Sequence, residues 1–277
     1  MGKILLGKEP AEEVLSDIRT CIKKLGRKPK LAIVLVGENP ASELYVSKKL
    51  EKAMEAGIDA VAHRLSADTT QKKLEKLVKK LNKDKNIDGF IIQTPLPKHI
   101  DEKKIVEMVD QAKDVDGWTS VSAGRLLFGM KERFEPATPA GVMKILDFYN
   151  VSFEGRHAVV VGRSNTVGKP MAALLLERNA TVTLCHSKTT NLTEHTKKAD
   201  ILVVAVGKPG LITADMIKDN AYIIDVGTTH VENKLKGDVD FENVIKKAHC
   251  SPVPGGVGPM TVAMLLYNVT KAAERNG

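Results

Sequence analysis

Four side chains in the first half of the sequence are of types that move protons or hold a polar ring: Tyr45, Lys49, Gln93 and Asp116. Tyr45 and Lys49 stand four residues apart in a segment of helical periodicity, so they share one helix face. A lysine beside a phenol on the buried side of a helix loses solvation, which lowers its pKa toward that of a working proton acceptor. The same spacing suits a surface pair with apolar stems packed down and polar heads in water, and spacing alone favours that plainer arrangement. Gln93 closes a short apolar strand and Asp116 precedes a glycine turn, positions at which α/β folds collect their ligands.

A second group lies in His157-Ala-Val-Val-Val-Gly-Arg-Ser-Asn-Thr-Val-Gly-Lys-Pro170, which runs on into an apolar helical segment. Its order is strand, polar turn, helix. Gly162 lets the chain turn tightly, Gly168 lets the helix open against its neighbours, and free N–H groups at the helix start favour a phosphate. The spacing is G-x-S-x-x-x-G, with Ser164 where the common dinucleotide fingerprint has glycine; a plain buried turn would use the same two glycines. The next strand ends in Cys185-His186-Ser187-Lys188. An NAD site usually has an acid there for the ribose 2′-hydroxyl. A hydroxyl, an imidazole and a lysine, with Arg163 from the first turn, instead suit a 2′-phosphate and point to NADP, although His186 and Ser187 also read as ordinary loop polarity.

The elements that must position these groups follow from periodicity. Helices are expected over Pro10–Leu25, from Pro40 to Ala56, from a Thr69 cap to Leu81 and from Asp101 to about Val109; strands are expected over Lys30–Val36, Ile58–Leu65 and Asp88–Thr94. After a helix from Thr138 to Tyr149 the alternation resumes. Strands His157–Val161, Ala180–Cys185, Ile201–Val206 and Ala221–Val226 are separated by helices, including Thr213–Ile217, and Thr261–Ala273 forms a last helix. Strands alternating with helices imply parallel sheets. The fold expected is α/β with two domains: an N-terminal substrate domain over 1–135 and a Rossmann-like NADP-binding domain over 136–259.

Composition bounds the function. The 277 residues are 43% hydrophobic and 27% charged, as in a globular protein. No apolar run approaches a membrane span, so no membrane partner and a cytoplasmic location are expected. Cys21, Cys185 and Cys250 are scattered, which suggests neither a disulfide framework nor a metal site. The net charge of +8 is spread over lysine-rich amphipathic helices, and aromatics at 4% offer little to stack on nucleic acid, so no nucleic-acid partner is expected.

Together, Ala41-Ser-Glu-Leu-Tyr-Val-Ser-Lys-Lys49, Ile91-Ile-Gln-Thr-Pro-Leu-Pro97, Lys113-Asp-Val-Asp-Gly117, Val161 to Pro170, Cys185-His-Ser-Lys-Thr189 and Pro252-Val-Pro-Gly-Gly-Val-Gly-Pro-Met-Thr261 are in sequence order. They resemble the signatures of the bifunctional methylenetetrahydrofolate dehydrogenase/methenyltetrahydrofolate cyclohydrolase family over nearly the whole chain. The resemblance implies an active site between two domains, a C-terminal helix at 260–277 that returns to the first domain, tetrahydrofolate derivatives as substrates, NADP as cofactor and a homodimer. It makes Lys49 the catalytic lysine, Tyr45 the ring that stacks on folate, Gln93 the partner of the lysine and Asp116 the acid that holds the pterin. Pro254 and Gly255 would approach the substrate, while Gly162, Arg163, Ser164, Gly168, His186, Ser187, Gly207, Gly227 and Thr228 would line the cofactor. The implied chemistry is oxidation of 5,10-methylenetetrahydrofolate to the methenyl form and its hydrolysis to 10-formyltetrahydrofolate, in one-carbon metabolism and purine biosynthesis. The sequence departs from the family pattern at Thr94, Trp118, Thr166 and in Pro136-Ala-Thr-Pro139, none of them an assigned catalytic residue. Rivals are an NADP-dependent dehydrogenase of the shikimate type, against which Tyr45, Lys49, Gln93 and Asp116 together argue, and a catalytically silent NADP-binding module, against which the intact Lys49 argues.

Overall fold

The computed structural model describes residues 2–232 and 234–276. They fall into two compact units: a first made of Glu13–Pro136 and Val262–Gly277, and a second made of Ala137–Thr261 and Met1–Glu12.

The first half of the chain forms α1 (Lys8–Leu25), β1 (Lys30–Val36), α2 (Pro40–Ala56), β2 (Asp59–Leu65), α3 (Gln71–Lys83), β3 (Gly89–Ile92), α4 (Glu102–Glu107) and α5 (Ser120–Leu127). Its sheet is parallel with the order β2-β1-β3. The apolar run of β1 is buried on both faces, as the central strand of a covered parallel sheet requires. Ala32, Val34, Phe90 and Ile92 pack against Leu74, Val78 and Leu81 of α3, the apolar stripe of an otherwise lysine-rich helix. The Asn39 side chain caps α2 by accepting from Ser42 N, with Pro40 in the first turn; Gly57, in the left-handed region, ends it. Thr70, rather than the expected Thr69, caps α3 by accepting from Lys73 N.

The second half forms α6 (Ala137–Phe148), β4 (His157–Val161), α7 (Gly168–Glu177), β5 (Thr181–Cys185), α8 (Leu192–Thr196), β6 (Ile201–Val204), β7 (Tyr222–Asp225), β8 (Thr229–Val231), β9 (Lys234–Lys236), α9 (Phe241–Val244), β10 (His249–Cys250) and α10 (Val257–Arg275). Five parallel strands run in the order β10-β7-β6-β4-β5, and β8 and β9 form an antiparallel hairpin. From β4 the chain goes to β5 on one side and then crosses to β6 on the other, so the strand order reverses between β4 and β6. Ligands of open α/β sheets bind outside the strand ends at such a point.

Several expectations change. The expected helix over Thr213–Ile217 is one 3-10 turn, Ala214–Met216, too short to gain from helical cooperativity. The last helix opens at Val257 instead of Thr261. Helix α5, only eight residues long, and the hairpin, with strands of three residues, were not anticipated. The first twelve residues cluster with the second unit rather than the first, because Leu5 N bonds Cys250 O at 2.9 Å beside an Ile4–Cys250 parallel bridge. The last helix does join the first unit: Asn268 Nδ2 donates to Val115 O and Glu135 O, both at 2.8 Å, and Ala273 O accepts from Arg27.

Candidate functional site

In the first unit, α2 carries Lys49 and the end of β3 carries Gln93. Lys49 Nζ donates to Gln93 Oε1 at 2.9 Å. The amide is itself fixed, since Gln93 Nε2 donates to Thr94 O at 3.0 Å and Gln93 N to Val34 O at 2.8 Å. This leaves Oε1 in one orientation, aimed at the ammonium. Lys49 keeps some accessible surface, yet protein atoms crowd it. Desolvation pushes its pKa below the ordinary lysine value, and the negative charge of Asp116 offsets part of that. The plain surface pair is therefore excluded for Lys49. Tyr45 lies one turn earlier on the same helix, half-buried.

Asp116 sits in the turn after Lys113. Desolvation raises its carboxyl to about 6, Lys49 draws it down, and Asp114 raises it further. The turn is built around Asp114, a buried carboxylate that sequence reasoning passed over. Asp114 Oδ2 accepts from Thr119 N at 2.9 Å, Thr119 Oγ1 at 2.7 Å and Ser122 Oγ at 2.6 Å, and Oδ1 from Trp118 N at 3.1 Å. Gly117 has φ +65, and a Cβ there would lie 2.7 Å from Phe134 O. Lys113 Nζ donates to Leu81 O at 2.7 Å and Asp84 O at 2.6 Å, which anchors the start of the turn. Of the Lys-Asp-Val-Asp-Gly motif, then, Asp116 is left facing Lys49 while Lys113, Asp114 and Gly117 shape the backbone.

In the second unit the turn after β4 stands at the reversal of strand order. Gly162 has φ +130, and a Cβ there would overlap Ala205 O; one at Gly168 would overlap Gly162 O. The two glycines are thus needed for the cradle. The expected free N–H groups are already engaged: Ser164 Oγ accepts from Val167 N at 3.1 Å and Gly168 N at 3.3 Å. Two donors converging on one oxygen mark the place a phosphate oxygen would take, so the chain fits a dinucleotide there. Because Val161 pairs with Cys185 and Gly162 N bonds Cys185 O, the chain after each strand lies at one sheet edge. Arg163 and Ser187 are exposed at that edge, while His186 is tied into its own loop, its Nδ1 accepting from Lys188 N at 3.2 Å. No acid stands there. Gly207 lies after β6 and Gly227 and Thr228 after β7; Thr228 is exposed. Pro254 and Gly255 form a turn in which Gly7 N donates to Gly255 O at 3.0 Å. Among the described residues no group of three or more His, Cys, Asp or Glu could hold a metal ion, and no helix is long and apolar enough to cross a membrane.

A glycine cradle at the switch point of a parallel sheet and a desolvated lysine held by an amide beside a buried acid define the class: a dinucleotide-dependent α/β enzyme. Residues 5–116 match the sequence family described as the tetrahydrofolate dehydrogenase/cyclohydrolase catalytic domain, and residues 136–277 match its NAD(P)-binding domain. A bifunctional protein FolD from a Nitratiruptor species is 51% identical over 99% of this chain and 98% of its own. The crystal structure of the bifunctional FolD methylenetetrahydrofolate dehydrogenase/cyclohydrolase from Campylobacter jejuni matches with a TM-score of 0.97 at 42% identity, covering 99% of both chains. The Trypanosoma brucei N5,N10-methylenetetrahydrofolate dehydrogenase-cyclohydrolase, solved with NADP and an inhibitor, matches with a TM-score of 0.95 at 34% identity over 99% of this chain and 98% of its own. The chain belongs to the tetrahydrofolate dehydrogenase/cyclohydrolase family.

Proposed function

We propose that the chain oxidises 5,10-methylenetetrahydrofolate to 5,10-methenyltetrahydrofolate with NADP and then hydrolyses the product to 10-formyltetrahydrofolate, and that Lys49 carries the hydrolytic step. The observation that supports this best is the Lys49 to Gln93 hydrogen bond on a lysine whose pKa burial has lowered. Burial makes the deprotonated amine, the form that can accept a proton, easier to reach than on an ordinary exposed lysine.

Glu13–Pro136 with Val262–Gly277 takes the folate, and Ala137–Thr261 takes NADP. When bound, the nicotinamide of NADP supplies the hydride acceptor. Gly162, Ser164 and Gly168 hold its phosphates, Arg163 and Ser187 its 2′-phosphate with His186 alongside, and Gly207, Gly227 and Thr228 the rest of the dinucleotide. Tyr45 stacks on the folate ring, Asp116 accepts from the pterin N–H groups, and Pro254 and Gly255 bring backbone close to the substrate. In hydrolysis, Lys49 Nζ takes a proton from water as the water oxygen bonds to the methenyl carbon. The same proton goes to N5 as the bond from that carbon to N5 breaks, and the remaining hydroxyl proton leaves to solvent as the carbon–oxygen double bond forms, which leaves the formyl group on N10. Gln93 keeps the amine lone pair directed at the water. In keeping with the family resemblance, the enzyme is a cytoplasmic homodimer.

The test is Lys49→Gln. Cyclohydrolase turnover should fall by about 10²–10⁴-fold, the usual worth of a general base, while calorimetric folate affinity is retained. An undiminished rate would sink the assignment. Parallel assays with NADP and NAD test the cofactor, and faster turnover with NAD would overturn the 2′-phosphate argument.

A further inference from the structure

The second unit buries two carboxylates that the reaction does not use. Asp238 is fully buried and Asp225 nearly so. A carboxylate persists in the interior only where donors surround it, and here nearly all the donors are main chain. Asp238 Oδ2 accepts from Val206 N at 2.6 Å and Gly207 N at 3.0 Å, and Oδ1 from Lys208 N at 2.7 Å. Three successive N–H groups curled around one anion make the kind of concavity that elsewhere holds phosphate. Asp225 repeats the arrangement one layer below. Its Oδ1 accepts from Gly227 N and Asp238 N and its Oδ2 from Val239 N, each at 2.9 Å, while its own N–H donates to Ser251 Oγ at 2.8 Å. Side chains at Gly237 and Gly227 would overlap the carboxylates of Asp225 and Asp238 respectively, so the packing leaves no slack. Even so, burial pushes the Asp225 carboxyl up to about 6, and the pair is kept at a cost to the fold.

What the pair fastens is informative. The loop after β6 stands beside the turn after β4, because the two strands are neighbours and a Cβ at Gly162 would overlap Ala205 O. The two loops are the walls of the crevice at the switch point. On the β4 side the N–H groups of Val167 and Gly168 rest on the exposed Ser164 hydroxyl, a place a phosphate oxygen could take, whereas the three on the β6 side are turned into the interior. Resting on the NADP reading above, we propose that Asp238, braced by Asp225, is a positioning residue for the cofactor: it consumes the N–H groups of Val206, Gly207 and Lys208, fixes that wall, and leaves phosphate recognition to the Gly162–Gly168 turn.

Asp238→Asn preserves shape but sets an amide N–H₂ against backbone donors. The KM for NADP should rise roughly tenfold or more, the scale of an orphaned buried donor. Hydrolysis of methenyltetrahydrofolate, followed without NADP, should be unchanged. An unaltered KM overturns the proposal, and so does an equal loss of both activities, which would mean general support of the fold. Amide exchange in the unsubstituted protein gives a second readout that needs no variant. The amides of Val206, Gly207 and Lys208 lie outside any helix or strand yet should exchange slowly without cofactor; exchange at open-loop rates overturns the proposal. A parent enzyme that oxidises nothing with NADP while these amides stay slow would instead overturn the dehydrogenase reading, and the cofactor role with it.

Discussion

Lys49 and Asp116 make an uneasy pair: each is partly desolvated, and each moves the other toward its charged form. The fold therefore holds two groups whose protonation changes easily, which suits proton transfer and opposes stability. For Asp116 the sign is definite. Its folded value, about 6, exceeds the reference value of 3.8, so the folded protein binds a proton between these limits that the unfolded chain does not. Its contribution to stability is full below about 4 and lost as pH rises through about 6. Under the role proposed for Asp116, binding of the pterin to an ionised carboxylate would have the opposite dependence. The kcat/KM for methylenetetrahydrofolate, measured from pH 5 to 8, should fall about tenfold per unit below pH 6, the slope of a single ionisation. Asp116→Asn should lack that inflection, and its persistence would show that another group titrates. Residue types and spacing alone drew notice to Lys49, Gln93 and Asp116 but favoured a plain surface pair for Tyr45 and Lys49; it was the family resemblance that singled these residues out. Asp114 and Asp238 were not legible, because their donors come from turns whose approach only the folded chain reveals. Asp225, a charge closing the apolar run Tyr222-Ile-Ile-Asp225, was the one available hint.

At the level of elements, strand and helix alternation, the Asn39–Pro40 helix start and the Gly162–Gly168 turn were readable because each is set by neighbours in sequence. Helix α5 was missed because it is only eight residues long, although Thr119 caps it by accepting from Ser122 N. The hairpin was missed because its strands are three residues each. The loop that bears Asp116 is held from both ends, by Lys113 on carbonyls of Leu81 and Asp84 and by the Asp114 cluster, and its bend depends on Gly117. Gly117→Ala imposes a left-handed conformation on a side chain and a 2.7 Å approach to Phe134 O. We expect a loss of about 1–3 kcal/mol in chemical denaturation, with cyclohydrolase activity reduced more than NADP affinity. A fully stable Gly117→Ala protein would contradict the geometry.

For the molecule as a whole, the interleaving of the two units along the chain was only half legible. The returning helix was expected from the family resemblance; the capture of the first residues by β10 was not, since a two-residue strand has no pattern to read. That interleaving has a consequence for synthesis, which proceeds from the N-terminus. Before Val262–Gly277 leaves the ribosome, Val115 O and Glu135 O lack the Asn268 amide, and Arg27, already paired with Asp88, lacks Ala273 O. The unit made of Glu13–Pro136 and Val262–Gly277 is thus translated early but finished late, whereas every residue of the other unit has already been polymerised. Nascent chains stalled after Thr261 and emerged from the exit tunnel should be cut by protease within Glu13–Pro136 and spared within Ala137–Thr261. Equal resistance in both segments would show that the late helix is dispensable, and that the loop bearing Asp116 matures before its last strut arrives.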